Sequence, residues 1–215
     1  MSVIARSIIS RRLPLSRPDQ TDLFGDTAAA PEGFIYSNDV ISVDAEAALI
    51  QEIKRLPFKP FEFQGYLGKR RIVSFGWKYD FDRKTLRESN PLPDFLMPLR
   101  ATAAVFAGVV ADDLQQVLIN EYDVGAGVGW HRDKAMFEDV IGISLSSPAT
   151  FRFRRERSDN WDRISRVLRP RSAYLMRGPS RWSWEHSVSP VSELRYSVTF
   201  RNFVARANNR ATVRV

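Results

Sequence analysis

In the middle of the chain, apolar positions recur first at helical spacing and then by strict alternation. Leu49, Ile53 and Leu56 fall three and four residues apart, behind Ser42 and Asp44, either of which can cap a helix. Asp44 and Glu46 in its first turn and Lys54 and Arg55 in its last suit the helix dipole, and Pro57 stops it. A second helix is predicted over about 94–109, with Phe95, Leu99, Ala103 and Phe106 on one side and Pro93 and Pro98 confining its start. From about Val117 the period changes. Ile141, Ile143 and Leu145 alternate with Gly142 and Ser144, and Phe151 and Phe153 alternate with Arg152 and Arg154. Residues 173–176 and the series Tyr196, Val198, Phe200 continue the pattern. These strands follow one another through turns with no helices between them. That order argues against a doubly wound α/β fold and predicts a mainly β, antiparallel double sheet with flanking helices.

Composition narrows the chemistry. The 215 residues are 44% hydrophobic and 27% charged, which suits one globular domain with basic ends. No segment approaches the roughly 20 apolar residues of a membrane span, so no membrane association is expected. The absence of cysteine excludes disulfides, thiolate metal sites, iron–sulfur clusters and cysteine nucleophiles. A net charge of +7 makes a polyanion a candidate partner, whereas nothing identifies a protein partner. Residues 1–33 read as a basic N-terminal arm and linker, 34–203 as the domain, and 204–215 as a basic tail. The first twenty residues carry Arg6, Arg11, Arg12 and Arg17 with no acid before Asp19, which fits either a plain arm or an organelle presequence. Arginine interrupts the apolar runs too often for a secretory signal. The expected location is therefore cytoplasmic, or nuclear or organellar in a eukaryote.

Only two histidines are present, so a histidine-based metal site must use His131, His186 or both. In Trp130-His131-Arg132-Asp133 the histidine and the aspartate are two apart, and on a strand positions i and i+2 share a face. His186 lies 55 residues on, far enough for the chain to return. Two histidines and one carboxylate form the facial triad of non-haem Fe(II) oxygenases, which leaves open positions for reactants. In Arg195-Tyr-Ser-Val-Thr-Phe-Arg201 the two arginines are six apart and share a strand face, where guanidinium forks can grip the ends of a small dicarboxylate. Asn120 and Tyr122 form another i, i+2 pair. Taken singly, each feature also reads as a hydrogen-bonded core residue or a solvated strand face.

Together these segments resemble the AlkB family of Fe(II)/2-oxoglutarate dioxygenases. The resemblance runs from about Phe34 to Phe203 through Leu-Ile-Asn120-Glu-Tyr122, His131-Arg-Asp133-Lys, Ser180-Arg181…His186 and Arg195-Tyr-x-x-Thr-Phe-Arg201. It implies a double-stranded β-helix (jelly-roll) core. It also implies that His131, Asp133 and His186 bind Fe(II), and that Asn120, Tyr122, Arg195 and Arg201 bind 2-oxoglutarate. Arg195 would hold the distal carboxylate, and Arg201 would lie near the one chelating iron. Ser197, where some relatives place asparagine, would supply a secondary contact. The implied reaction consumes O2 and 2-oxoglutarate, releases succinate and CO2, and oxidises a substrate carbon; an N-methyl group so oxidised leaves as formaldehyde.

Three features bear on the substrate. The segment from Gln64 to Trp77 occupies the place of the family's nucleotide-recognition lid and mixes Lys69, Arg70 and Arg71 with Tyr66, Phe75 and Trp77, although Phe75 and Trp77 read equally as core residues. Trp130, of opposite parity to His131, is expected to pack behind the metal strand. Residues 152–171 hold eight arginines against three acids, a candidate nucleic-acid patch that includes Arg152, Arg154, Arg155 and Arg157. Nucleic-acid-repair members often carry an acid two positions after the metal aspartate; here Ala135 stands there, leaving Glu138 or Asp139 as possible replacements. The leading expectation is oxidative dealkylation of N-alkylated bases in DNA or RNA. The alternative is hydroxylation or demethylation of a protein or another non-nucleic-acid substrate. A catalytically silent nucleic-acid-binding β-domain is the third reading.

Overall fold

The computed structural model describes residues 30–63, 66–80 and 85–204. Most of the expected basic arm and tail lies outside them. Thirteen strands and three helices follow in the order β1 (Phe34–Ser37), α1 (Val43–Ile53), β2 (Lys59–Phe63), β3 (Tyr66–Phe75), β4 (Trp77–Asp80), β5 (Thr85–Glu88), α2 (Met97–Ala107), β6 (Gln116–Tyr122), β7 (Val128–His131), β8 (Phe137–Leu145), β9 (Ala149–Arg157), β10 (Asn160–Leu168), β11 (Ala173–Met176), α3 (Pro179–Trp182), β12 (Glu185–Val188) and β13 (Arg195–Phe203) among the described residues. Of the two candidate caps, Ser42 is the one used: its Oγ accepts from the Ala45 amide at 3.1 Å. Helix α2 ends on Gly108 at φ 66°, the left-handed conformation that glycine adopts without a Cβ penalty.

A seven-stranded antiparallel sheet in the order β1-β11-β8-β13-β6-β3-β2 stacks on a four-stranded sheet ordered β10-β9-β12-β7, and β4 and β5 form a separate ribbon. This is the jelly-roll arrangement expected. The parity of the larger sheet divides the interior. Val117, Ile119, Ile141, Ile143, Tyr196, Val198 and Phe200 face the helices and join Ile53, Leu96, Leu99 and Ala103 in one core. The alternate positions face the smaller sheet, where Phe151, Phe153, Leu168, Tyr174, Met176 and Val188 form a second core. Strands β1 to β5 were not expected, except that Phe75 and Trp77 could be read as strand residues. Gly65, Gly68 and the basic run 69–71 break the alternation that would have announced β3.

One glycine shapes the space between the sheets. Gly142 on β8 is the register partner of Tyr174 on β11. A Cβ at Gly142 would lie 2.2 Å from the Tyr174 ring, so the missing side chain lets the phenol lean over β8 toward the interior. Gly142→Ala should therefore cost about 1–3 kcal/mol through overpacking, or a few degrees in thermal midpoint at ~2–4 °C per kcal/mol for a chain of this size. A thermal melt of the variant beside the parent checks this, and an unchanged midpoint would refute it.

Candidate active site

The carboxylate and imidazoles picked out by residue type come together through strand register. His131 ends β7 and His186 lies on β12 directly opposite it in the antiparallel ladder. Their rings are 4.2 Å apart between centroids. Asp133, just beyond the end of β7, places Oδ2 3.4 Å from His186 Nε2. The ligand-capable atoms of all three lie within 4.8 Å of one another. The Gly129 carbonyl lies 2.9 Å from His131 Nδ1 and can only accept, so in the neutral ring Nδ1 carries the proton and Nε2 is left as the donor atom.

Electrostatics prepare the group for a cation. Burial alone would raise the Asp133 carboxyl, but Arg201, with the two imidazoles and Arg181, outweighs it and holds the group well below the usual carboxylate range. Desolvation, helped by His131, lowers His186 to about 3 and keeps its ring neutral. Arg201 donates to Asp133 Oδ1 from Nη2 at 2.8 Å and from Nε at 3.0 Å, and its Nη1 donates to Gln116 Oε1 at 2.8 Å. One carboxylate oxygen is thus anchored while Oδ2 stays turned toward the histidines.

The odd-numbered residues of β13 and the even-numbered residues of β6, cross-strand partners in the ladder, face the same space. Arg195, Ser197, Arg201, Asn120 and Tyr122 line a single cavity with the three metal-type residues, about 480 Å³ counting its open mouth. Arg195 is 1% exposed, yet among the described residues no carboxylate pairs with it. Its Nη2 donates to Ser144 Oγ at 2.8 Å and its guanidinium lies 5.0 Å from the Tyr122 ring centroid. Its Nε and Nη1 are buried without a hydrogen-bond partner. An unanswered buried guanidinium is costly unless a ligand anion completes it. The residues therefore fit both groups: two nitrogens and one oxygen for a divalent metal, and an orphaned cation for a dicarboxylate. Asn120 Nδ2 donates to Ser197 Oγ at 3.3 Å.

Supporting residues emerged only in three dimensions. Arg181, 2% exposed, donates from Nη2 to the carbonyls of Lys134 at 2.6 Å and Phe137 at 2.9 Å, gripping the loop that carries Asp133. Its motif was visible in the sequence; its partners were not. Gln116, Ser144 and Tyr174 gave no sequence signal, because each acts through a cross-strand neighbour. Burial pushes the Tyr174 phenol well above its ordinary value.

The substrate expectations fare unevenly. Arg70 lines the cavity. Arg71 does not: it points to the opposite face of β3 and donates to Glu121 at 2.6 Å. Phe75 is 6% exposed in the helix-side core, not in a lid. Trp77 packs edge-on against Phe203 at 5.8 Å. Lys69 is exposed, and the Tyr66 side chain lies outside the described residues. The arginine run is not one patch, because strand parity splits it. Arg152 and Arg154 lie on the outer face of the smaller sheet with Trp130 between them, at 5.0 and 4.6 Å from its ring, and Arg154 also binds Glu185 at 2.6 Å. Trp130 thus lies behind the metal strand. Arg155 belongs to the other face and binds Asp162 at 3.0 Å; Arg157 is 73% exposed and 3.9 Å from the same carboxylate. Asp139 is also committed, to Arg177 at 2.6 Å, so it is not a free replacement for an acid at position 135.

Similarity to known proteins shows the class to which this fold belongs. A family model described as the 2OG-Fe(II) oxygenase superfamily matches residues 37–201. The chain is 27% identical over 168 residues to mouse (Mus musculus) tRNA (carboxymethyluridine(34)-5-O)-methyltransferase ALKBH8, covering 75% of this chain and 25% of that protein. It is 27% identical over 147 residues to the alpha-ketoglutarate-dependent dioxygenase AlkB of Salmonella typhimurium, covering 60% and 67%. The solved structure of OsALKBH1 superposes with a TM-score of 0.58 at 17% identity, over 80% of this chain and 97% of that one, which shows the shared fold. The chain thus spans only about a quarter of the length of the mouse relative. It belongs to the 2OG-Fe(II) oxygenase superfamily, the class of Fe(II)-, 2-oxoglutarate- and O2-dependent dioxygenases, and AlkB proteins are among the relatives it resembles.

Arg181→Met should weaken metal affinity about 10–100-fold, the usual range for loss of a group that orients ligands. Titration of the protein with Co(II), followed by its visible absorbance, reads this directly; unchanged affinity in a folded variant would show that the loop holds itself.

Proposed function

We propose that this chain removes alkyl groups oxidatively from N-alkylated bases in DNA or RNA. The observation that carries the reading is the single cavity in which His131, Asp133 and His186 face an unanswered buried guanidinium, Arg195, with Arg70 of the lid segment at the same opening. Two similar proteins, named as a tRNA-modifying methyltransferase and, in Arabidopsis thaliana, as an alkylated DNA repair protein, support nucleic acid as the substrate class. Dealkylation also suits a pocket beside basic and aromatic side chains, where a base can be held out of its stack.

His131, through Nε2, His186 and Asp133, through Oδ2, would hold the Fe(II). Arg195, with Ser144 and Tyr122 beside it, takes the distal carboxylate of 2-oxoglutarate, while Arg201 orients Asp133 and stands near the other carboxylate. Asn120 and Ser197 complete the co-substrate's polar wall. When bound, the metal lets O2 and 2-oxoglutarate react to give succinate and CO2, one oxygen atom passing to a substrate carbon. If that carbon is an N-methyl group, the resulting hemiaminal loses formaldehyde and returns the N–H. The chain's own work is orientation and exclusion of water: Val128, Phe151, Leu168 and Val188 wall the cavity with apolar surface.

A second reading, oxidation of a protein or other non-nucleic-acid substrate, is favoured by the self-paired arginines of the smaller sheet, which leave less free charge for a phosphate backbone than the sequence suggests.

Succinate release with Fe(II), 2-oxoglutarate and O2, with and without a methylated oligonucleotide, separates the two. Stimulation with stoichiometric formaldehyde is expected, and Asp133→Ala serves as the blank. Turnover that depends on Asp133 but ignores the oligonucleotide would sink the dealkylase reading in favour of the second. Arg195→Leu is expected to raise the KM for 2-oxoglutarate more than about tenfold, the scale for truncating one partner of a buried charge pair; an unchanged KM would remove Arg195 from the co-substrate site.

A further inference from the structure

The cavity is unevenly charged. Among its described lining residues, Arg70, Arg195 and Arg201 stand against Asp133 alone. Arg201 is bound to Asp133. The two carboxylates of 2-oxoglutarate would answer Arg195 and Arg201, which rise from one strand. Arg70 comes from β3, outside that group, and its Nε is buried without a hydrogen-bond partner. An aromatic face supports it: the guanidinium carbon lies 4.0 Å from the centroid of the Phe61 ring. Of the acids on the two strands beside β3 and on β8, none lines the cavity, and Glu62 on β2 is exposed. Glu121 on β6 points to the opposite face, where Arg71 and Tyr196 hold it, and Asp139 on β8 is bound by Arg177. Arg70 is thus a spare cation with an unsatisfied donor, at the cavity in which a substrate must lie.

We propose that Arg70 selects the substrate by charge, donating to a carbonyl oxygen of a neutral N-alkylated base and turning away bases that carry positive charge. The proposal deepens the dealkylase reading and rests on it. N-Alkylated bases divide chemically into two groups. Alkylation at N3 of uracil or N1 of guanine leaves a neutral base with a carbonyl beside the alkylated nitrogen. Alkylation at N1 of adenine or N3 of cytosine leaves a cation at neutral pH. A like charge placed near an unneutralised guanidinium in a dry cavity is repelled strongly, whereas a carbonyl there completes a buried donor. Ala135, an exposed residue on the metal loop, adds no negative charge to offset this. The same side chain thereby works by attraction and by rejection.

The test compares single-stranded oligonucleotides that differ only in carrying one 3-methyluracil or one 3-methylcytosine. Their binding to protein loaded with Mn(II) and 2-oxoglutarate is followed by fluorescence anisotropy, so that phosphate contacts cancel between strands. The 3-methyluracil strand should bind at least about tenfold more tightly. Arg70→Gln should bring the ratio below about threefold, and Arg70→Glu should invert it. Equal or tighter binding of the 3-methylcytosine strand by the parent protein overturns the proposal without recourse to any variant. So does a preference that survives Arg70→Gln. Succinate release on the same strands separates this inference from the reading beneath it. Stimulation by the cationic strand alone would uphold dealkylation and overturn the role of Arg70; stimulation by neither would overturn both.

Discussion

The two sheets meet electrically at Asp133 and Arg201. The aspartate follows the last residue of a strand in the smaller sheet, and the arginine sits near the end of the central strand of the larger one. Two donors of a single guanidinium converge on one carboxylate oxygen, at 2.8 and 3.0 Å. That contact does three things. It keeps the carboxylate ionised inside the fold, it fixes which oxygen faces His186, and it sets how far the metal strands stand from the wall that carries Arg195, Ser197 and Asn120. Gln116 then holds the remaining arm of Arg201, so the pair is oriented from both sides. A buried ion pair is rarely a net gain in stability against an apolar packing of equal volume. Its presence here is better understood as positioning.

Around that pair the structure accepts polar burial on one face of a sheet and avoids it on the other. Tyr196, Val198 and Phe200 close against the helices, while their neighbours Arg195, Ser197, Thr199 and Arg201 face inward to the cavity. Such a face is unfavourable without ligands: guanidinium nitrogens of Arg195 and Arg70 lie buried and unpaired. The strain is tolerable because the second core, built from Phe151, Phe153, Leu168 and Met176, locks the sheets together beside the cavity. Arg181 and Gly142 serve the same end from outside the site, one by gripping the metal loop through two carbonyls and the other by leaving room for Tyr174.

The outer face of the smaller sheet shows how charge counted along a sequence can mislead. Eight arginines within twenty residues suggest one strongly basic surface. Alternation sends them to two faces, and Glu185, Asp162, Trp130 and Trp161 occupy several of the guanidinium groups. What remains is a ladder of stacked cations and indoles that braces the strand bearing His131. Besides the two arginines of β13, the arginine that reaches the reaction cavity is Arg70, from a strand that the hydrophobic pattern did not reveal.

Residue type and period by themselves determined a good deal. With two histidines in the chain, one of them two residues from an aspartate, the candidate ligands were few; six-residue spacing put Arg195 and Arg201 on one face whatever the strand packed against; alternation after Val117 made the core antiparallel β. These follow from local geometry, since side-chain direction repeats every two residues along any strand. The tertiary structure decided everything that depends on a partner distant in the chain: that His186 stands opposite His131, that Arg71 turns to Glu121 while Arg70 turns inward, that Phe75 is core, and that Asp139 is bound to Arg177. Register and pairing are set by how two sheets and two helices bury their apolar faces at once, and no segment carries that information alone.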